Sequence, residues 1–420
     1  MNFWQKVKLL LSDKGLRNKL LFVVFILFVF RLLANVPIPG IDASRLGQFL
    51  QQSQLLGVLN IFSGGGLSNL SIVMLGVGPY ITASIILQVL TLISPKLKAL
   101  YSEEGEAGKK KFTQYGRLLT VPLAALQGYS LIYLLSQQGV IDQLYGFALF
   151  SNIIILIAGA LIAMWLGELI SEYGIGNGVS MIIFAGIVSG IPAKFSQLIS
   201  TFDTTMIPVY LAFLAVAIIV IAGVIFITEA ERLVPVTYAR QVRGIGQANA
   251  SYLPIKLNQA GVIPIIFALS ILVFPQIVGG LLANSDNSTL ASISKTLSSF
   301  TQDTWIYSVV YFVLVFFFTY FYTAVTFDPK TISDNLQRNG AFVSGIRPGQ
   351  STSEYIGGIV SRVTTVGALF LGIIAILPII STNLSNTQAI SIGGTSLLIA
   401  VSVILDLVKK LNAQLTLREY

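Results

Sequence analysis

The residue types that most often make or break bonds are scarce in this 420-residue chain, which has no His and no Cys. That removes HExxH zinc sites, Ser–His relays, imidazole proton shuttles, disulfides, thiol nucleophiles and thiolate clusters. What remains is hydrogen bonding, cation docking and apolar closure. Ser84, Gln88 and Thr91 form a polar stripe beside Ile81 and Ile85 on a helix turning about 100° per residue. A lipid-facing helix has no use for such a stripe, so it borders water or another helix, and bonding between helices is the commoner case. Arg347 sits in Gly345-Ile346-Arg347-Pro348-Gly349, a turn that would present one guanidinium to acidic protein or phosphate. Any single such arginine can equally serve only to fix membrane orientation. Gly174-Ile175-Gly176-Asn177-Gly178 lacks both the GxGxxG spacing and a βαβ setting, and no GxxxxGK[ST] occurs. Directional work must therefore come from a partner.

The elements that position these residues are membrane helices. The chain is 54% hydrophobic and only 10% charged, with a mean hydropathy of +0.80. A soluble domain carries about 25% charged residues to cover its surface. Ten runs approach the roughly 20 apolar residues that a bilayer requires. They are Leu20–Val36, Ile72–Ile93, Leu118–Leu135, Phe147–Ile170, Val179–Ile199, Ile207–Ile227, Val262–Leu281, Trp305–Phe327, Val363–Ile380 and Ile390–Val408. Of the 26 Lys and Arg, 22 fall on the side that carries both termini and three on the other, with Arg31 inside the first run. Positive residues mark the cytoplasmic face, so both termini are expected there. The net charge of +8 is then largely a topology signal and needs no nucleic acid. Arg31 and the lack of a clear A-x-A site favour a retained first helix over a cleaved leader.

Ten runs divide into five and five, residues 1–200 and 201–420, and an odd number per half would make the halves an inverted pair. No residue-level self-similarity accompanies that division. Gly57–Pro79 breaks the helical pattern, because Ile61 through Ser71 is too polar and too short to cross lipid. It reads equally as a half-helix folded back into the membrane or as a surface loop whose glycines allow close packing. A full span is expected to follow from Pro79. The seventh run carries Pro264 and Pro275 and is expected to bend. Carboxylates are nearly absent from the membrane interior, which argues against proton-coupled transport. The long cytoplasmic connections, about 228–261 and 328–362, exceed what topology needs. Val234 through Arg240 alternates like a strand before Gly244 and Gly246, so a hairpin is expected.

The chain resembles the SecY/Sec61-alpha family of protein-export channel subunits. The resemblance is carried in order by Pro37-Ile38-Pro39-Gly40-Ile41-Asp42, Phe62-Ser63-Gly64-Gly65, Gly78 through Ile86, Glu104-Gly105-Glu106-Ala107-Gly108 and Gly174–Gly178. It continues through Phe184 to Val188, Ala260 to Pro264, Gly340 to Gly349 and Gly393 to Ile399. It implies an all-α polytopic fold of two inverted five-helix halves around an hourglass pore. The family's plug maps to about 60–71, with Phe62, Gly64, Gly65, Gly66 and Leu67. Its hydrophobic pore ring maps to Ile81, Ile85, Ile187, Ile266 and Ile399. Its lateral gate, between the second and seventh runs, maps to Ser84, Gln88, Thr91 and Asn258. Its docking loops map to Arg240, Arg243 and Arg347. The partners it implies are SecE and SecG subunits, the SecA motor, the ribosome, signal peptides, nascent chains and membrane lipid, in the cytoplasmic membrane. No catalytic residue, metal or cofactor is implied.

A channel for unfolded chains cannot select by charge or carbonyl coordination, since every side chain must pass. A narrow collar of branched apolar residues yields to an extended chain and dewets when empty. The expectation is therefore a passive protein-conducting channel rather than an enzyme. The rival reading is a small-solute secondary transporter. An intramembrane protease is weaker, because Ser–His and zinc mechanisms have no residues here.

Overall fold

The computed structural model describes residues 12–39, 59–60, 63–102, 104–137, 139–200, 207–238, 251–282, 289, 292–294, 296–297, 304–385 and 394–419. Each of the ten apolar runs overlaps a helix. In the first part of the chain these are α1 (Lys14–Leu33), α2 (Gly78–Ile93), then the short α3 (Pro95–Ser102), α4 (Gly105–Gln137), α5 (Gly146–Tyr173) and α6 (Gly178–Ser200). The second part holds α7 (Ile207–Glu229), strands β1 (Glu231–Tyr238) and β2 (Ser251–Lys256), α8 (Ile263–Leu282), α9 (Thr304–Thr326), α10 (Pro329–Arg338), β3 (Ala341–Val343), α11 (Gln350–Ser385) and α12 (Gly394–Glu419).

Local chemistry sets the ends. Asp13 caps α1 by accepting from the Gly15 and Leu16 amides, which satisfies donors that a helix start leaves unpaired. Pro79 lies in the first turn of α2, where its missing amide costs nothing. The helix stops at Ser94, whose backbone is extended (φ −106°, ψ 109°) because it precedes Pro95. The chain then turns by 117° into α3. The expected full span from Pro79 is thus 16 residues long and ends in a sharp bend. Residues 72–77 are turns, so α2 also begins six residues later than the apolar run.

Among the described residues, four helical stretches by themselves are long and apolar enough to cross a membrane. Large apolar side chains such as Phe25, Phe28, Phe226 and Phe317 lie well exposed on helix surfaces. A water-soluble domain hides a surface of that kind, whereas lipid solvates it. The chain is a multi-pass membrane protein. α4 and α11 have 33 and 36 residues, about 50 Å each at 1.5 Å per residue, and overshoot the hydrocarbon. α11 starts 13 residues before the apolar run it contains, so much of the connection expected at 328–362 is regular structure.

Packing joins neighbours in sequence: α2 with α4, α4 with α5, α5 with α6, α8 with α9, α9 with α11, and α11 with α12. Elements before residue 200 meet those after 207 chiefly where α8 packs on α2 and α4, and where α12 packs on α6. The expected hairpin is present. β1 pairs antiparallel with β2, from Glu231 opposite Lys256 to Val236 opposite Ser251. A third strand, β3, pairs with the other side of β1 at Val236–Tyr238, which adds a small sheet to a helical fold. Pro235 lies where β3 does not reach, so β1 tolerates it. Val234, Ile255, Val343, Ile356 and Val360 form a separate apolar core under this sheet, with Ile346 packed against it.

Candidate pore, plug seat and docking turn

Ile81 and Ile85 stand one turn apart on α2, Ile266 on the first turn of α8, Ile399 on α12 and Ile187 on α6. Four of them are buried, at 5%, 3%, 5% and 0% exposure in that order of naming with Ile187 set aside. Ile187 is half-buried and packs on the same continuous apolar cluster that the other four belong to. None of the four is turned out toward lipid. The cluster draws on helices from both parts of the chain and also holds Val73, Val77 and Leu269.

From residue 63 to 77 the segment beside it is a chain of turns rather than a half-helix, while residues 59–60 before it are helical. Gly64 and Gly65 adopt left-handed backbone (φ 62° and 86°), a conformation that only glycine reaches cheaply. A single 3₁₀ turn, Leu67–Asn69, follows. With three successive glycines, a regular helix would forfeit about 1 kcal/mol per residue relative to alanine, so hydrogen bonds hold the segment instead. Ser63 Oγ donates to the Asn60 carbonyl (2.9 Å) and accepts from the Leu67 amide (3.0 Å). Ser68 Oγ donates to the Gly65 carbonyl at 2.6 Å. Arg31 Nη1 reaches the Gly64 carbonyl at 3.4 Å. Gly64 lies so close to Gly186 of α6 that a Cβ on Gly186 would overlap the Gly64 backbone. Beyond it, Asn69 Nδ2 donates to Asn35 Oδ1 (2.9 Å) and the Ala34 carbonyl (3.3 Å), and the Ile72 amide to the Val36 carbonyl (3.0 Å). Gly64, Gly65, Gly66 and Leu67 are all buried; Phe62 lies outside the described residues.

The polar stripe on α2 departs from its expected bonding. Ser84 Oγ donates to the Tyr80 carbonyl (2.9 Å) and Thr91 Oγ1 to the Gln88 carbonyl (2.6 Å), both within α2. A hydroxyl one turn above a carbonyl reaches it without needing a neighbour. The bond from α2 to another helix is made by Thr82, which accepts from Gln127 Nε2 of α4 at 3.3 Å. Among the described residues, Gln88 Oε1 and Asn258 Oδ1 are buried without hydrogen-bond partners, while Asn258 Nδ2 donates to the Gly261 carbonyl at 3.2 Å. Pro264 also departs from expectation: it occupies the first turn of α8, leaving Pro275 as the proline inside the helix.

Arg347 is exposed on the turn after β3. Arg240 and Arg243 lie outside the described residues. Elsewhere on the surface, Arg117 of α4 pairs with Glu168 of α5 at 2.9 Å. Sequence reasoning marked Arg31 as an ionisable group inside a membrane run, the available sign of a functional position, but not its acceptor. It missed Gly186, which meets Gly64 more than a hundred residues away, and Ser333 and Thr352, whose hydroxyls bond carbonyls of the Arg347 turn.

A family description, SecY, matches residues 71–408. The protein translocase subunit SecY of Corynebacterium glutamicum is 39% identical, over 97% of this chain and 97% of that protein. A solved SecY structure, whose plug domain stabilises the closed state of the translocation channel and maintains a membrane seal, superposes with a TM-score of 0.65 at 19% identity, covering 94% of this chain and 91% of that one. Sec61 in the canine ribosome-channel complex from the endoplasmic reticulum superposes at 0.62 with 17% identity, over 94% and 91%. At those identities the likeness to the solved structures is one of fold. Sequence identity near two in five across almost the whole of both chains is a statement of descent: the chain belongs to the SecY family.

Proposed function

We propose that the chain is the channel subunit of a protein translocase, passing unfolded polypeptides across the cytoplasmic membrane. The observation that carries this reading is a set of branched aliphatic side chains, Ile81, Ile85, Ile266 and Ile399, buried in one apolar cluster beside a hydrogen-bonded turn segment. Together with Ile187 they serve as the collar, and residues 60–71 as the plug. An apolar collar excludes ions by dewetting and offers a threaded chain no binding site to stick to. The relative from Corynebacterium glutamicum is named a translocase subunit, which supports the same activity here.

The two halves, 1–200 and 201–420, part at a seam between α2 and α8, where signal peptides and membrane segments of nascent chains leave for lipid. Gln88 and Asn258 fit a seam, since buried acceptors without partners give up little when it opens. Both termini face the cytoplasm, as the 22 basic residues on that side favour. Arg347, with Arg240 and Arg243, docks the SecA motor or the ribosome, and SecE and SecG complete the complex. The ribosome assignment draws support from the canine ribosome-bound neighbour. A small-solute transporter is not favoured: the relatives carry the translocase name, and carboxylates that could couple transport are nearly absent from the apolar runs, where Glu168 and Asp406 stand close to the run ends.

The test is ion conductance of the complex in vesicles. Ile81→Asn combined with Ile266→Asn should raise the resting leak and relax signal-sequence stringency. Unchanged conductance in the double variant would remove the collar.

A further inference from the structure

The turn that carries Arg347 is held at several backbone positions. Gly345 and Gly349 take left-handed φ of 82° and 98°, which place a tight turn on each side of the arginine. The Ile346 amide donates to the Val343 carbonyl (3.1 Å), and its side chain packs on the sheet's apolar core. Pro348 holds the preceding residue in extended backbone. The carbonyls of Arg347 and Gly349, on either side of Pro348, are both taken by buried hydroxyls. Thr352 Oγ1 of α11 donates to the Arg347 carbonyl at 2.8 Å, and Ser333 Oγ of α10 to the Gly349 carbonyl at 2.7 Å. Thr352 is 2% and Ser333 1% exposed, while the side chain they brace reaches solvent.

Buried hydroxyls from two different helices converging on one exposed turn have a consequence for binding. A guanidinium on a slack loop loses affinity to ordering of both backbone and side chain when it meets a carboxylate or phosphate, whereas one on a locked turn loses less, since only its side chain remains to be ordered. We infer that Thr352 and Ser333 are positioning residues that preorganise Arg347 for an acidic docking partner, an inference that rests on the docking role proposed above for Arg347. The two hydroxyls never touch the partner; they act through the arginine.

The experiment uses the full chain with its partner subunits in vesicles and purified SecA as the probe, read as a dissociation constant. Thr352→Val, which deletes the hydroxyl at nearly constant volume, should raise Kd roughly three- to tenfold, and Ser333→Ala should shift it the same way. Thr352→Ser, which keeps the hydroxyl, should bind like the unaltered complex. In an Arg347→Ala background, Thr352→Val should add no further loss, because the brace then has nothing to present. Equal losses in both backgrounds, or failure of Thr352→Ser to restore binding, would assign Thr352 a general structural part and overturn the inference. If Arg347→Ala binds SecA normally, the docking role itself fails. If Arg347→Ala weakens binding while Thr352→Val does not, only the positioning role fails.

Discussion

The proposed collar and the proposed plug lie side by side and are built from opposite materials. The isoleucines of the collar are held by apolar packing, which is non-directional and proportional to buried area. The plug turn is held by directed bonds, from Ser63, Ser68 and Arg31, and by a backbone approach between Gly64 and Gly186. A packed ring can widen by small degrees and lose a little at each step. A hydrogen-bonded turn seated on a glycine contact has two states, seated or displaced. On the proposed roles, the difference separates two ways of keeping a membrane tight: one would yield around a passing chain, the other would have to be released first.

The largest effect that would break this comparison is expected from Gly186→Val. The new side chain meets Gly64 backbone, which cannot rotate away. Overpacking of that kind costs about 1–3 kcal/mol, and at about 1.4 kcal/mol per decade the displaced plug should become roughly tenfold or more populated. Conductance of the resting channel would read it. A leak no greater than that of the unaltered chain would show that the seat does not hold the plug. Next comes Arg31→Gln, which removes a long charged bond to the Gly64 carbonyl. About 1 kcal/mol is expected from such a bond, hence roughly a fivefold higher leak, with Arg31→Lys intermediate. Equal leaks for Gln and Lys would show that charge at this position is irrelevant.

A smaller effect sharpens the other side of the contrast. Ile266→Val trims the collar without changing its character, so the cost should be about 0.5–1.5 kcal/mol in thermal stability with no change in resting leak. A leak as large as that of the Asn pair would mean that the collar seals by exact fit rather than by being apolar. The smallest effect belongs to Arg117→Gln, which opens the pair with Glu168. Half of the Arg117 side chain is solvent-exposed, so a melting curve should move by no more than about 0.5 kcal/mol, and conductance not at all.

These contrasts also explain what could be read from the chain. The ten apolar runs overlap helices because a bilayer demands a local property, about 20 apolar residues in a row. The β1–β2 hairpin was equally readable, since the alternation of Val234 and Val236 is local and both are buried. β3 was not: three residues, Ala341–Val343, become a strand only because β1 lies beside them. The plug's conformation was hidden for a similar reason. Gly64-Gly65-Gly66 permits many backbones, and Gly186, more than a hundred residues on, selects one. The stripe of Ser84, Gln88 and Thr91 was correctly placed on a face, but which acceptor each hydroxyl takes depends on distances inside its own turn. The collar positions came from family resemblance and the brace of Arg347 from neither source, because Ser333 and Thr352 look like ordinary polar residues until the fold brings them to one turn.

The three-stranded sheet ties together pieces that flank one helical hairpin. β2 runs through a short linker into α8, and the Leu257 amide donates to the Ala230 carbonyl at the foot of β1 (2.8 Å). β3 follows α9 by way of α10, and both strands are laced to β1. The start of α8 and the end of α9 are therefore bolted to a single plate, with Arg347 at its rim. Anything that leans on that rim works a crowbar whose short arm is the helix bordering α2.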